Sequence, residues 1–463
     1  MTQVLPAPPL VAAVAAAPRR FLPVLPVIAL IVMLALPVSG DGGGTLADAV
    51  SGLVVVCCAL RLVRGRRRPL SRTAAVVLGL PVVGIAVATA GASSAGVGAE
   101  GLVRYLQIFV LVPTAVTLLV RDRRDARLVA WSLVGLALWQ GALGVHQFVT
   151  GTGASYQGEM IRAVGTFGAT DIMGMAAVVA FGLVCALGLA LGSGPARQRT
   201  AAAVCALALL LPLALSFSRG AWIATAVTCG AQLVLAGLRR AVQVFAAVAA
   251  ATVVLVGGLG VGSAMLQERI GSITQVADAP DQSVTDRYTM WTAAVDMWRD
   301  QPLTGVGLKG FPDHRDGHAS LALSSGSDTD GAGAGFRRQP LLSPHNMYLL
   351  VLSEQGLLGL LALAGSWLAL LVLGLRRLLR TRRPPDGSAA SDVTSGSDRS
   401  GGLDCALVAC GLLVWQLVDF VYADIGGPST VLTALVLGLA AWWSLADEDA
   451  HRDDDAHEGA GTR

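Results

Sequence analysis

Long apolar runs separated by short, arginine-rich breaks occupy almost the whole chain. The runs from Phe21 to Val38 and from Ala241 to Val261 approach or exceed the roughly 18 residues that a helix needs to cross a bilayer, and similar runs recur as far as Leu445. The pattern predicts twelve spans, near 21–38, 44–60, 73–92, 101–120, 128–149, 170–191, 201–217, 220–238, 241–262, 346–375, 404–422 and 428–445. The expected fold is therefore an all-α polytopic membrane protein with about twelve transmembrane helices. One large extracytoplasmic loop, 263–345, separates spans 9 and 10. In its first half Ser283-Val-Thr-Asp286 resembles a capping box, and Tyr288, Trp291, Val295 and Trp298 form one helical stripe before Pro302. Such a helix would lie on the membrane surface or over the mouth of the bundle. Ala319 to Gly335 is mostly Ser, Gly, Ala and Asp, with too little apolar surface to fold alone. It reads as a mobile insertion, dispensable for folding and most activity.

Composition sharpens the class. Hydrophobic residues make up 54% of the 463, and charged residues only 14%, against about 25% in soluble domains, which excludes an ordinary soluble enzyme. The net charge of +3 hides a segregation. With the N-terminus inside, 24 of the 34 basic residues fall on the cytoplasmic side and 10 outside, as the positive-inside rule requires. The resulting organisation is a cytoplasmic N-terminus (1–20), spans 1–9 (21–262), the extracytoplasmic loop (263–345), spans 10–12 with a cytoplasmic linker at 376–403 (346–445), and an acidic disordered cytoplasmic tail (446–463). Arg19 and Arg20 precede an apolar run without a clear small-x-small cleavage site, so the first helix is expected to be retained. All seven cysteines lie in apolar runs, without CxxC or zinc spacing, and read as small hydrophobes. No His/Asp/Glu cluster has metal-ligand spacing either, so a metal-independent site without cofactors is expected, and no nucleic-acid partner.

The charge count isolates three outside arginines that are not in the long loop: Arg104, Arg162 and Arg219. One arginine at a span end usually snorkels to headgroups or makes a structural ion pair. Three at one level, with Arg287, Arg337 and Arg338 in the loop above, better fit a site for a phosphorylated anion, which guanidinium forks bind bidentately. Near them lie Arg162-Ala-Val-Gly-Thr-Phe-Gly-Ala-Thr-Asp171, whose glycines would let backbone N–H groups approach a ligand, and the tight Ser216-Phe-Ser-Arg-Gly220 corner. Pro302-Leu-Thr-Gly-Val-Gly307 ends the surface helix, and Ser343-Pro-His-Asn346 leads into span 10, with Glu354 about two turns further in. His345 suits proton transfer near neutrality, although a histidine at a helix entry is also commonly structural. Glu354 is a carboxylate inside a span and a functional candidate for that reason, its alternative being an ion pair with one of the arginines. Asp171 and Asp419 are weaker candidates, as a helix cap and a neutraliser of buried charge.

Taken in order, Arg162 with GTFG at 165–168, SRG at 218–220, Arg287 followed by Trp291 and PLTGVG at 302–307, and HNMYL at 345–349 with SEQGLLGL at 353–360 resemble the bacterial O-antigen ligase and polysaccharide polymerase family. The resemblance covers roughly residues 100–375. It departs after GTFG, where Ala169-Thr-Asp171 replaces the Asn-Pro-Asn common in the family. The resemblance implies transfer of a glycan from undecaprenyl diphosphate to an acceptor hydroxyl at the outer face of the bacterial plasma membrane, without nucleotide sugar or metal. It assigns His345 as the base, with Glu354 orienting or replacing it. Arg162, Arg219 and Arg287 become diphosphate binders; Arg104, Gly305, Gly307 and Asn346 complete the expected substrate-binding set. The partners implied are an undecaprenyl-diphosphate-linked glycan donor, a glycan, lipid or cell-wall acceptor, and membrane lipids. Ligase and polymerase share these motifs. A lipid-linked oligosaccharide transporter or flippase is the reading from another class, because Gln140 and Glu354 lie at midplane depth, although no internal repeat is visible.

Overall fold

A computed structural model of the chain describes residues 23–37, 46–65, 70–156, 161–237, 239, 242, 282–382 and 402–445. It is mostly helical. In chain order the main elements are α1 (Leu25–Met33), α2 (Leu46–Gly65), α3 (Arg72–Ala90), α4 (Ala95–Leu119, with a π-helical turn at Gln107–Leu111), α5 (Arg123–Thr150), β1 (Ala154–Tyr156), α6 (Gly174–Leu191), α7 (Ala196–Leu215), α8 (Arg219–Ala236), α9 (Gln282–Asp300), α10 (Phe311–His318), β2 (Ser327–Gly331), β3 (Ala334–Gln339), α11 (Met347–Arg382), α12 (Leu403–Asp419) and α13 (Val431–Leu445).

Seven of these, α2 to α7 and α11, are long and apolar enough to cross a membrane. Seven of the twelve predicted spans are thus matched by helices of that length and composition among the described residues. The predicted spans at 21–38, 404–422 and 428–445 appear as the shorter helices α1, α12 and α13, the one at 220–238 as α8, as long as α6 but less apolar, and the one at 241–262 lies outside the described residues but for 242. Helix ends follow local chemistry. Ser71 caps α3 through Ala74 N at 3.1 Å, Asp122 caps α5 through Arg124 and Asp125 N at 2.9 Å, and Ser218 caps α8 through Ala221 N at 3.3 Å. α6 is apolar on every side and correspondingly buried, enclosed by α5, α7, α8 and α12. α11 runs on through Arg376, Arg377 and Arg380, so the expected linker at 376 begins as helix.

α11 is broken at Gly356, whose φ is 64°. A break in a membrane helix orphans backbone groups that lipid cannot satisfy. Here the 302–307 loop satisfies them: Val306 N and Gly307 N donate to the carbonyls of Ser353 and Glu354 at 2.9 and 3.1 Å, and Leu357 N and Leu358 N donate to Pro302 and Leu303 at 2.9 and 3.2 Å. The approach leaves no room for side chains. A Cβ at Gly305 would sit 2.4 Å from the Glu354 carbonyl carbon, and one at Gly307 would sit 2.1 Å from Gly91 O. Gly305 and Gly307, expected as substrate binders, are explained instead by this docking.

The long loop departs from expectation twice. α9 forms where the capping box predicts, but its buried face is Asp286, Met290, Ala293, Ala294 and Met297, packed toward α11. The aromatic stripe faces outward and sideways: Tyr288 is exposed, and the half-buried indoles of Trp291 and Trp298 donate to Pro344 O and Pro302 O at 2.8 and 3.2 Å. Small residues allow the close approach to α11, while the aromatic rings keep a polar handle bonded. The second departure is the Ala319–Gly335 stretch. It does not form a structureless insertion, because most of the antiparallel β2–β3 hairpin falls within it and β2 pairs with β1 from the α5–α6 connection. Its composition cannot bury a core, but backbone pairing with a strand from another loop does not require one.

Candidate functional site

The connection between α12 and α13, residues 420–430, is the hub on which the candidate residues converge. The turn before α11 docks on it: Met347 N donates to Phe420 O at 2.9 Å and to Ala423 O at 3.0 Å. His345 in that turn has φ 49°, a conformation uncommon for a residue with a side chain. The preceding carbonyl, Pro344 O, is held by the Trp291 indole. His345 Nδ1 lies 3.9 Å from Asp424 Oδ2, a carboxylate oxygen that also accepts from Ser343 Oγ. Arg287 Nη1 reaches Tyr422 O at 3.4 Å. Gly220, beside Arg219, packs so closely on Tyr422 that a Cβ there would lie 3.2 Å from the tyrosine Cβ. From the opposite side Asp171 Oδ2 accepts from Ser429 N at 3.1 Å. His345, Arg287 and Asp171 are thereby brought to one short loop, with Arg219 next to its contact.

Burial holds the His345 pKa below its ordinary value; Asp424 pulls it up and Arg287 pushes it down. The imidazole nevertheless keeps 40% of its side-chain surface open. The neutral ring near neutrality, with one nitrogen toward a carboxylate and an open face, is the form a general base needs.

The other expected residues have different surroundings. Arg162 is buried. Its backbone pairs with Ala154 in both directions, at 2.8 and 3.1 Å, and Ala163 N donates to Leu215 O, which sets it beside the Ser216–Arg219 corner. Arg104 ion-pairs with Asp48, and Gln107 Nε2 joins the same carboxylate at 3.3 Å, tying α2 to α4. Asn346 Oδ1 accepts from Leu349 N at 3.1 Å and so caps α11. Glu354 is buried and accepts from Phe311 N at 3.2 Å, at the start of α10. It stands nine residues beyond His345, about 13 Å of helical rise. The carboxylate facing His345 is Asp424, not the expected Glu354.

The first amides of the GTFG turn are engaged within the protein. Gln147 Oε1 accepts from Val164 N and Gly165 N at 3.1 and 2.8 Å, and Gln140 Oε1 accepts from Thr166 N at 2.9 Å. Gln140 Nε2 in turn donates to Leu34 O at 2.8 Å. The midplane glutamine that left room for transport is thus a structural tie. Tyr422 and Asp424 are not singled out in the sequence. The signal available for Asp424 was a carboxylate in the short Tyr422-Ala-Asp-Ile-Gly-Gly427 link between two apolar runs, next to Asp419.

Among the described residues no group of three or more His, Cys, Asp or Glu is placed to hold a metal ion. Comparison with known families finds that residues 201–364 match the model described as O-Antigen ligase. The matched stretch contains Arg219, Arg287, the 302–307 loop, His345 and Glu354. Over that stretch the chain is similar to the O-antigen ligase family, whose members act in polysaccharide biosynthesis, and its long apolar helices fit a membrane protein. No curated protein matches it.

Proposed function

We propose that the chain transfers a glycan from an undecaprenyl-diphosphate carrier to an acceptor hydroxyl at the outer face of the bacterial plasma membrane. The observation that carries this reading is the His345–Asp424 pair set among Arg287, Arg219 and Asp171 on one loop, inside or beside the family-matched stretch. In the proposed step the open nitrogen of His345 takes the acceptor hydroxyl proton. The acceptor oxygen then bonds to the anomeric carbon as the bond to the diphosphate oxygen breaks, and that electron pair leaves on the diphosphate. Negative charge grows on the leaving group, where Arg219, Arg287 and Arg162 stabilise it from fixed positions. A single displacement inverts the anomeric carbon. Asp424 orients His345 and stabilises the imidazolium formed, and the diphosphate binders need no metal.

A transporter reading finds less support, because the broken helix, the usual form of a midplane substrate site, has its backbone groups bonded to the 302–307 loop. The test is direct. Purified protein in proteoliposomes is given an undecaprenyl-diphosphate-linked glycan, with release of undecaprenyl diphosphate followed against time. Release that depends on an added acceptor and disappears in His345→Ala supports transfer, and the glycan length of the product separates ligase from polymerase. Movement of the lipid-linked glycan between leaflets without any release would replace this reading with transport.

A further inference from the structure

His345 holds a strained backbone between two fixed points. Its φ of 49° lies in the left-handed region, which a residue with a side chain keeps only where the surroundings impose it. On the far side Met347 N ties the turn to Phe420 O and Ala423 O. On the near side the Trp291 indole holds Pro344 O, and the Ser343 hydroxyl donates to the Asp424 carboxylate. Pro344 stiffens this near side, because its ring locks its own φ and disfavours helical backbone at Ser343. Ser343 and His345, two residues apart, thus approach the same oxygen, Asp424 Oδ2.

The two side chains meet that oxygen differently. Ser343 Oγ is hydrogen-bonded to it, whereas His345 Nδ1 stands 3.9 Å away, too far for a hydrogen bond. Among the described residues Ser343 alone donates to this carboxylate, which has only 8% of its side-chain surface open and so has little access to water. The imidazole therefore feels Asp424 through space, past an oxygen already occupied by a neutral hydroxyl. A carboxylate bonded directly to Nδ1–H would make the ring strongly basic; one held back, with an O–H dipole opposing its charge, does so less. Arg287 on α9 is the other charged group acting on the ring, and Asp419 on α12, Glu354 on α11 and Tyr105 on α4 lie within electrostatic reach of Asp424.

We propose that Ser343 is a positioning residue that holds the Asp424 carboxylate off the His345 ring, so that the imidazole stays neutral and free to accept the acceptor proton. This rests on the glycan-transfer reading and adds to it the group that sets how basic the base is. Once the ring is protonated, the carboxylate is already in place to meet its charge. Without the hydroxyl, Asp424 closes on Nδ1 with its full charge, and the ring protonates at higher pH.

The experiment follows release of undecaprenyl diphosphate by the parent, Ser343→Ala and Ser343→Thr in proteoliposomes, from about pH 5.5 to about pH 8.5. The donor is an undecaprenyl-diphosphate-linked glycan and the acceptor an oligosaccharide of the same glycan. Ser343→Ala should lose about tenfold in turnover at the acid end and less than about twofold at the alkaline end, its acid limb lying about one pH unit higher, with both KM values within about twofold of the parent. Ser343→Thr keeps the hydroxyl and should keep the parent's limb. An equal loss at every pH would reduce Ser343 to fixing the turn, and a selective rise in acceptor KM would make it a substrate contact; either outcome, or an unmoved limb, overturns the proposal. If thermal unfolding shows that Ser343→Ala does not fold, Ser343→Cys carries the test, because its weaker donor should move the limb part of the way. If the parent releases no undecaprenyl diphosphate at any pH, the transfer reading fails. NMR titration of labelled histidine in the full chain, with His345 assigned by its loss in His345→Gln, then still decides the positioning role: a higher midpoint in Ser343→Ala supports it, and equal midpoints refute it.

Discussion

Two places in this molecule depart from regular backbone close to an apolar bundle, and they handle their polar groups in opposite ways. At the α11 break the main-chain groups on both sides of Gly356 are paired with the 302–307 loop, and the Glu354 carboxylate is occupied by the start of α10. At the 420–430 hub the backbone is also fixed, through Met347 and Ser429, but the imidazole of His345 stays partly open beside Asp424. Both carry residues that look functional in a sequence. The difference is where the reactive atoms end up: consumed in one, presented in the other.

The comparison predicts a separation of stability from turnover. The largest effect is expected from Gly356→Ala. Its positive φ, with ψ −164°, is essentially glycine-only and costs about 1–3 kcal/mol for any other residue, and its Cβ would lie 2.3 Å from the Leu303 carbonyl carbon. The loop must therefore move, and thermal unfolding in detergent should show a strongly lowered midpoint or no folded protein. A parent-like midpoint would mean that the break is not sealed as described.

His345→Ala should be the reverse, with an unchanged unfolding midpoint and turnover lower by roughly two to four orders of magnitude. Asp424→Asn should lose less, about ten- to a hundredfold, with donor KM nearly constant.

The pH profile sharpens the same distinction. Because burial holds the His345 pKa below its ordinary value, the rate should stay high to mildly acidic pH and fall only as the ring protonates. Asp424 raises that pKa, so Asp424→Asn should move the acid limb to lower pH; Arg287 lowers it, so Arg287→Gln should move the limb upward. An acid limb unmoved by both would assign it to another group.

The smallest effects are expected from Arg104→Lys and Glu354→Gln. Arg104→Lys keeps the ion pair with Asp48, and surface-accessible pairs of this kind contribute about 0–1 kcal/mol. Glu354→Gln keeps an oxygen for Phe311 N, so turnover should change by less than about threefold and the acid limb not at all. A hundredfold loss in Glu354→Gln would bring that carboxylate back as the base.

Much of the helical layout is legible in the chain because hydropathy acts over twenty residues at a time. Predicted spans at 73–92, 128–149, 170–191 and 201–217 fall on α3, α5, α6 and α7 within a few residues. The capping box and Pro302 likewise bound α9. Legibility fails where the partner is distant. Nothing near Gly305 says that its neighbour is Glu354, nor does the Ser/Gly/Asp stretch announce that a strand at 154–156 awaits it. The arginines illustrate the limit best: Arg104 at a span end and Arg287 in the long loop both fall in the expected substrate-binding set. Only the fold separates the one tied to Asp48 from the one beside the Tyr422 carbonyl.

The sealed break also sets an order of events during synthesis. The 302–307 segment leaves the ribosome about fifty residues before 353–358, at roughly 5–20 residues per second. For several seconds the loop therefore has no helix to dock on. Assembly of this end of the protein is therefore a late step, completed after the tenth predicted span is in place. A chain stalled before that span would carry an aromatic helix with its small-residue face uncovered, a ready substrate for chaperones and proteases.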